Sequence, residues 1–90
     1  MDKGLSVYDR LEQAAVFGKV ECELKLYNRQ AEKLLREGFA VQRGAPVAGF
    51  HGQYRCKIGW RHAVPHTPAW GLLEIAVSCN DELKQAMQNE

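Results

Sequence analysis

Apolar and polar side chains alternate without a break over residues 19–27. Because strand side chains point alternately to opposite faces, this pattern predicts a half-buried strand with a charged outer face. The apolar set is Val20, Cys22, Leu24 and Leu26, and the charged set is Lys19, Glu21, Glu23 and Lys25. A helix continuing from the preceding segment would bring Glu23 into its apolar side and turn Cys22 and Leu26 outward. We therefore predict a strand here.

Two short helices are predicted beside this strand, at about residues 6–17 and about residues 29–37. Both show apolar positions at helical spacing and end at a glycine, which adopts the left-handed conformation at low cost. Asp9, three residues after the first N-cap, completes a capping-box-like start. The predicted N-cap and terminating glycine are Ser6 and Gly18 for the first helix, and Asn28 and Gly38 for the second.

Three more strands and a final helix are predicted in the second half of the chain. Residues 39–41 form a short strand, and residues 43–52, rich in glycine and proline, form a long loop or a wide hairpin connection. Gln53–Trp60 alternates again, with Tyr54, Cys56, Ile58 and Trp60 on the apolar face. The apolar run Trp70–Val77 is typical of a central buried strand. The last helix has Ser78 or Asn80 as its N-cap and Asp81 and Glu82 near its positive end.

The predicted element order is α-β-α-β-β-β-α. It indicates an α+β fold with a small, mostly antiparallel sheet of about four strands and two or three short helices packed on one face. The 90 residues suffice for one core, so we expect a single domain over residues 1–90.

Composition narrows the class of protein but does not identify it. The chain is 46% apolar and 26% charged, with a net charge of +1, values typical of a globular domain. Its three cysteines include no CxxC pair, which favours a reducing compartment. Without an apolar segment of signal-peptide or membrane-span length, a cytoplasmic location is expected. Neither GxGxxG nor GK[ST] occurs, so no cofactor is predicted.

Charge is distributed unevenly along the chain. Residues 38–73 contain no Asp or Glu, whereas the residues on either side are rich in acids. Basic residues clustered without carboxylates favour acidic or phosphate-bearing partners, and histidines add positive charge below neutral pH. We therefore predict a partner-binding surface within residues 43–70. Its candidate residues are Arg43, Arg55, Lys57, Arg61, His62 and His66.

Three kinds of partner fit such a surface. A larger protein or nucleoprotein with an acidic surface is our first hypothesis, in which this chain is a non-catalytic binding module. Nucleic acid bound by the same basic residues is the alternative, although the sequence pI of about 7.7 is low for a nucleic-acid-binding domain. A second copy of the chain, paired through an open sheet edge, is the third.

Cys56, His62 and His66 are the best candidates for metal binding or catalysis. The two histidines have a zinc-finger-like spacing, but Pro65 between them prevents a helix from aligning them. Cys56 shares the apolar face of its predicted strand, where cysteine usually packs as a small hydrophobic residue. Cys56 with His62 is the one possible nucleophile–base pair, and no known catalytic motif surrounds it. We predict neither a metal site nor an enzyme.

The segments AAVFGK, AEKLLREGFAV and YRCKIGW lie within residues 14–60. This arrangement of a helix ending in Gly, an alternating strand and a strand with Ile-x-Trp resembles short uncharacterised proteins encoded by bacteriophages and prophages. The resemblance implies an accessory protein of a mobile genetic element, such as an inhibitor or adaptor of a host protein. It assigns no functional residue.

Overall fold

The computed structural model of the chain describes residues 6–49 and 51–89. Within these residues it contains four helices and one three-stranded antiparallel sheet. The elements in chain order are α1 (Val7–Val16), β1 (Glu21–Tyr27), α2 (Asn28–Arg36), β2 (Ala40–Pro46), β3 (Gln53–Gly59), α3 (Pro68–Ser78) and α4 (Asp81–Gln88). The α+β class is confirmed, while the predicted numbers of strands and helices and the predicted element order are wrong.

The sheet has the strand order β1-β3-β2, so β3 is its central strand. Both β1 and β2 run antiparallel to β3, and α2 carries the chain from one edge of the sheet to the other. In this register Glu23 lies opposite Lys57, and Lys25 lies opposite Arg55. Residues directly opposite each other share a face of the sheet.

The predicted strand Trp70–Val77 is instead part of α3. The Thr67 side chain accepts a hydrogen bond from the Trp70 N–H, and Pro68 occupies the first helical position. Thr followed by Pro is a helix-start signal, because the proline lacks an N–H that would be unpaired there anyway. A continuous apolar run fits a buried helix as well as a buried strand, so the run alone was not diagnostic.

The strand predicted at residues 19–27 is confirmed as β1, and the capping box of Ser6 and Asp9 is confirmed at the start of α1. Asn28 is not the N-cap of α2, because Tyr27 holds that position and its N–H donates to Gln30 Oε1 at 2.9 Å. The short strand predicted at residues 39–41 is longer in the structure. It extends through Pro46 with a register shift after Arg43.

The hydrophobic core lies between one face of the sheet and the helices. Trp60 is only 1% exposed, and its ring packs edge-on against Phe39 at 6.2 Å between centroids. Phe39 in turn contacts Tyr8 of α1 at 6.5 Å. The other large side chains that are almost fully buried are Leu11, Leu26, Leu34, Ile58, Leu73 and Cys56.

The helices form successive layers beyond the sheet. α2 contacts all three strands and α1 contacts β1, whereas α3 packs on α1 and α4 packs on α3. The molecule is consequently elongated, with extents of 44 × 27 × 22 Å. In the part of the chain that the structure describes, no helix has the length and apolar character needed to cross a bilayer.

Candidate anion-binding surface

The sheet face turned away from the helices, here called the outer face, is polar. β1 places its charged residues there and β3 places the basic residues of the acid-free segment, since each strand keeps its period of two. These side chains are exposed or half-exposed. The outer face carries Glu21, Glu23, Lys25, Gln42, Gln53, Arg55 and Lys57.

Lys57 is partly neutralised by neighbours from a distant part of the sequence. Its Nζ lies 3.7 Å from Glu21 Oε1 on the adjacent strand, and Glu23 is directly opposite it in the register. Both groups of the ion pair are more than half exposed, so the pair contributes little to stability. It nevertheless lowers the positive potential that the acid-free segment suggested.

Lys25 and Arg55 form a pair of like charges, in contrast to Lys57 and its acidic neighbours. They face each other directly across β1 and β3, although like charges at opposite positions destabilise a sheet. Neither has an ion-pair partner among the described residues. Positive charge is therefore concentrated at this point of the outer face.

A cleft of about 500 Å³ adjoins this pair and includes residues of α1, α2 and the core-facing side of β1; we call it the Lys25–Arg55 cleft. Its lining residues are Val7, Arg10, Glu23, Leu24, Lys25, Tyr27, Gln30, Gln53 and Arg55. Arg10 enters from α1 and also has no ion-pair partner within the described residues. The cleft thus has three cations and a single carboxylate, with amide and phenol groups able to hydrogen-bond an anion.

Arg43 does not join Arg55 and Lys57. It pairs with Cys56 in the register and lies on the core-facing side of β2. Its guanidinium carbon stands 4.6 Å from the centroid of the Tyr54 ring, and its Nη1 donates to Asn28 Oδ1 at 3.0 Å. These contacts fasten β2 to the start of α2, which is a structural role.

The remaining predicted binding residues also lie apart from Lys25 and Arg55. Arg61 and His62 line a cavity of about 300 Å³ at the far end of the sheet, next to Trp60. Because a strand rises about 3.3 Å per residue, Gly59 at this end is about 13 Å from Arg55. His66 is exposed in the loop before α3, with a left-handed φ of 73°.

Cys56 lies in a different environment from His62 and His66. Cys56 is 1% exposed and belongs to the core, while both histidines are exposed. Burial raises the pKa of the Cys56 thiol, and the nearby Arg43 guanidinium only partly opposes this shift. Across residues 6–49 and 51–89, no group of three or more His, Cys, Asp or Glu side chains could hold a metal ion.

Sequence reasoning therefore found Arg55 but missed its neighbours Lys25 and Arg10. The alternation of residues 19–27 already placed Lys25 on an outer face, yet only the strand register shows which residue stands opposite it. Arg10 is exposed on a helix far away in sequence, and its place in the cleft depends on how α1 packs on β1.

Comparison with known proteins adds no functional information. No family model matches the chain, and no characterised protein or solved structure similar to it was found.

Proposed function

We propose that the protein is a non-catalytic binding module that recognises an acidic segment of a larger protein through the Lys25–Arg55 cleft. The observation that carries this proposal is the unneutralised cross-strand pair Lys25 and Arg55, joined in the cleft by Arg10. Two like charges held side by side lower the stability of the free protein. An anionic partner would relieve that repulsion on binding.

The Lys25–Arg55 cleft contains residues that were not predicted from the sequence and lacks most of those that were. It includes Arg55 from the acid-free segment but adds Lys25 and Arg10. The predicted residues outside its lining are Arg43, Lys57, Arg61, His62 and His66. Carboxylates of a partner segment can accept bidentate hydrogen bonds from the two guanidinium groups. Gln53 and Tyr27 supply further hydrogen-bonding groups at the rim.

An acidic protein segment fits this face better than nucleic acid does. Trp60 and most of Tyr54 are turned into the core, so they offer no stacking surface for bases. Tyr27, which is 46% exposed, is the aromatic side chain of the cleft.

The phage resemblance suggests the biological setting of this activity. A small protein that covers an acidic surface of a host protein, or links it to another component, would act as an inhibitor or adaptor. Catalysis is not part of the proposal, because the best nucleophile candidate, Cys56, is a buried thiol whose pKa burial raises.

The test compares an acidic peptide with a nucleic acid of similar charge. Fluorescence anisotropy would measure binding of a labelled oligoglutamate peptide and of a labelled single-stranded oligonucleotide at several salt concentrations. We expect the peptide to bind more tightly, and Lys25→Glu/Arg55→Glu to weaken it by about tenfold, or about 1.4 kcal/mol. Arg29→Glu/Arg36→Glu, at two exposed positions of α2 outside the cleft, makes the same change in net charge; it is the control and should bind as the wild type does.

Two results would contradict the proposal. Tighter binding of the oligonucleotide, with a steep loss of affinity as salt rises, would favour the nucleic-acid alternative. Equal loss of affinity in the Lys25→Glu/Arg55→Glu variant and in the Arg29→Glu/Arg36→Glu control would mean that overall charge, and not the cleft, governs binding. Circular dichroism would establish that each variant is folded.

A further inference from the structure

α3 has apolar residues both on the side that packs against the core and outside that side. Its buried side, Ala69, Leu72, Leu73 and Ala76, follows helical spacing and faces the core. Trp70, Ile75 and Val77 lie outside that buried side and are only partly covered. Glu74 is the single charged residue among the eleven of this helix. Helices that are apolar all round are normally buried, which suggests that something covers the free side of α3.

Two of these partly covered residues, Trp70 and Val77, line a groove between α3 and α4. This α3–α4 groove encloses about 480 Å³, and its lining residues are Trp70, Leu73, Glu74, Val77, Ser78, Lys84, Met87 and Gln88. Trp70, Leu73 and Val77 lie at i, i+3 and i+7 along one side of α3. Leu73 is only 2% exposed, so Trp70 and Val77 form the accessible part of this ridge. Trp and Met side chains are enriched at protein interfaces. The groove lies on the helical layers and shares no residue with the Lys25–Arg55 cleft.

The charges of the α3–α4 groove are balanced. Glu74 and Lys84 are its charged residues, and neither has an ion-pair partner among the described residues, including each other. In a twofold interface the same surface patch of both copies is in contact. An acidic residue of the patch can therefore pair only with a basic residue of that patch in the other copy. A pair of copies related by such an axis brings Glu74 of one copy to Lys84 of the other, and the reverse pair forms at the same time.

We propose that the protein forms a homodimer through the α3–α4 groove, with Glu74 of each copy facing Lys84 of the other. The apolar ridges of two α3 helices then cover each other. Self-pairing at the β2 edge of the sheet is less favourable, because β2 carries Pro46 and a register shift, both of which impede strand pairing. α3 and α4 are only about 16 and 12 Å long, so the interface is small and the dimer is weak.

Association would be measured by sedimentation from about 1 mM down to about 1 μM, the range expected for weak complexes. The expected mass at high concentration is twice the 10.2 kDa of one chain, falling to a single chain on dilution. Dilution should also shift tryptophan emission to longer wavelength. Trp70 would become hydrated, whereas Trp60 is buried in both states.

Charge reversal tests the proposed pairing directly. Glu74→Lys and Lys84→Glu should each weaken the dimer by about tenfold. Each variant places two like charges opposite each other at both of the symmetry-related contacts between the copies. The double variant Glu74→Lys/Lys84→Glu should restore the affinity to near that of the wild type. Glu32→Lys, an exposed position on α2 outside the groove, makes the same charge change as Glu74→Lys and should leave the dimer intact.

The proposal is overturned by a monomer mass at every concentration up to about 1 mM. It is also overturned by a dimer that neither single reversal weakens, which would place the interface elsewhere. If the double variant did not restore the affinity of the dimer, the twofold pairing of Glu74 with Lys84 would be excluded. Each of these results leaves the proposed role of the Lys25–Arg55 cleft unaffected, because that role concerns a different face.

Discussion

The three cysteines occupy three different environments. Cys56 is buried, Cys22 is half-buried, and Cys79 is exposed at the junction of α3 and α4. Burial raises the pKa of both the Cys56 and the Cys22 thiols, so at neutral pH they are protonated and poor nucleophiles. This explains physically why a cysteine on the apolar face of a strand is not a catalytic candidate.

We expect thiol labelling to follow this order. With Ellman's reagent in native buffer, Cys79 should react first, Cys22 more slowly, and Cys56 at least about 100-fold more slowly because it requires opening of the core. The Cys79→Ser variant should lose the fast phase alone. Rapid labelling of Cys56 in the folded protein would contradict its placement in the core.

Gly18 joins the end of α1 to the start of α4. Its φ is 79°, its carbonyl accepts a hydrogen bond from Asn80 Nδ2 at 3.0 Å, and a Cβ added here would lie 2.7 Å from the Asn80 Cβ. Gly18→Ala should therefore lower the free energy of unfolding by at least about 1–2 kcal/mol, the cost of a left-handed alanine, with steric strain added.

Gly71 provides the matched control for this prediction. It lies within α3, and a Cβ added there meets no atom within 4 Å. Gly71→Ala should raise the stability by about 0.5–1 kcal/mol, because alanine favours the helix. Urea unfolding followed by circular dichroism measures both variants. A neutral or stabilising Gly18→Ala would contradict the strain assigned to this turn.

At the scale of elements, the sheet places charges in two contrasting arrangements. Lys57 stands among acids of β1, whereas Lys25 stands opposite another cation, Arg55. Both lysines are on the same exposed face of neighbouring strands. They therefore allow one substitution to be compared in two electrostatic contexts.

We expect the same substitution to have opposite effects at these two positions. Lys25→Gln removes repulsion and should raise stability by up to about 1 kcal/mol, while Lys57→Gln removes attraction and should lower it by a similar amount. Denaturant unfolding at low and at high salt measures both, and salt should reduce both differences. If both variants changed the free energy of unfolding in the same direction, the charge arrangement derived from the strand register would be wrong.

The stability gain of Lys25→Gln should be accompanied by a loss of binding. If the cleft binds an acidic segment, removing Lys25 weakens the complex even though the free protein becomes more stable. Such opposition of stability and activity is common at functional sites. Lys57→Gln, whose charge is already partly neutralised, should change binding less.

The helix α3 shows how an element can be misassigned from its composition. Its apolar run satisfied the pattern of a buried strand, but its length of eleven residues is typical of a helix. Thr67 as N-cap, followed by Pro68 at the first helical position, is typical of a helix start. The helices α1, α2 and α4 were predicted correctly in type because each combines helical spacing with a cap or a terminating glycine.

At the scale of the whole molecule, the acid-free segment does not form a single basic patch. β3 and β2 are neighbours, yet Arg43 and Arg55 lie on opposite faces, and Arg61 and His62 lie at the far end of the sheet. β1, which comes earlier in the chain, supplies both the acids beside Lys57 and the additional cation beside Arg55. Charge distribution along a sequence is thus a poor guide to potential on a folded surface.

The elongated shape separates the two proposed binding surfaces. The Lys25–Arg55 cleft lies at the sheet and the start of α1, and the α3–α4 groove lies on the outer helical layers. A dimer formed through α3 and α4 therefore leaves the Lys25–Arg55 cleft of each copy open. Two clefts in one assembly would raise the effective affinity for a partner with repeated acidic segments.

The sequence by itself determined the α+β class, the type of six of the seven elements, and which face of β1 and of β3 is buried. These features follow from local signals, namely the periodicity of apolar residues and the residues that cap helices. Only the tertiary structure decided that Lys25 stands opposite Arg55, that Arg43 faces inward, and that Trp70 and Met87 share a groove. The physical reason is that strand register and helix packing join residues far apart in the chain, and no local pattern encodes which of them meet.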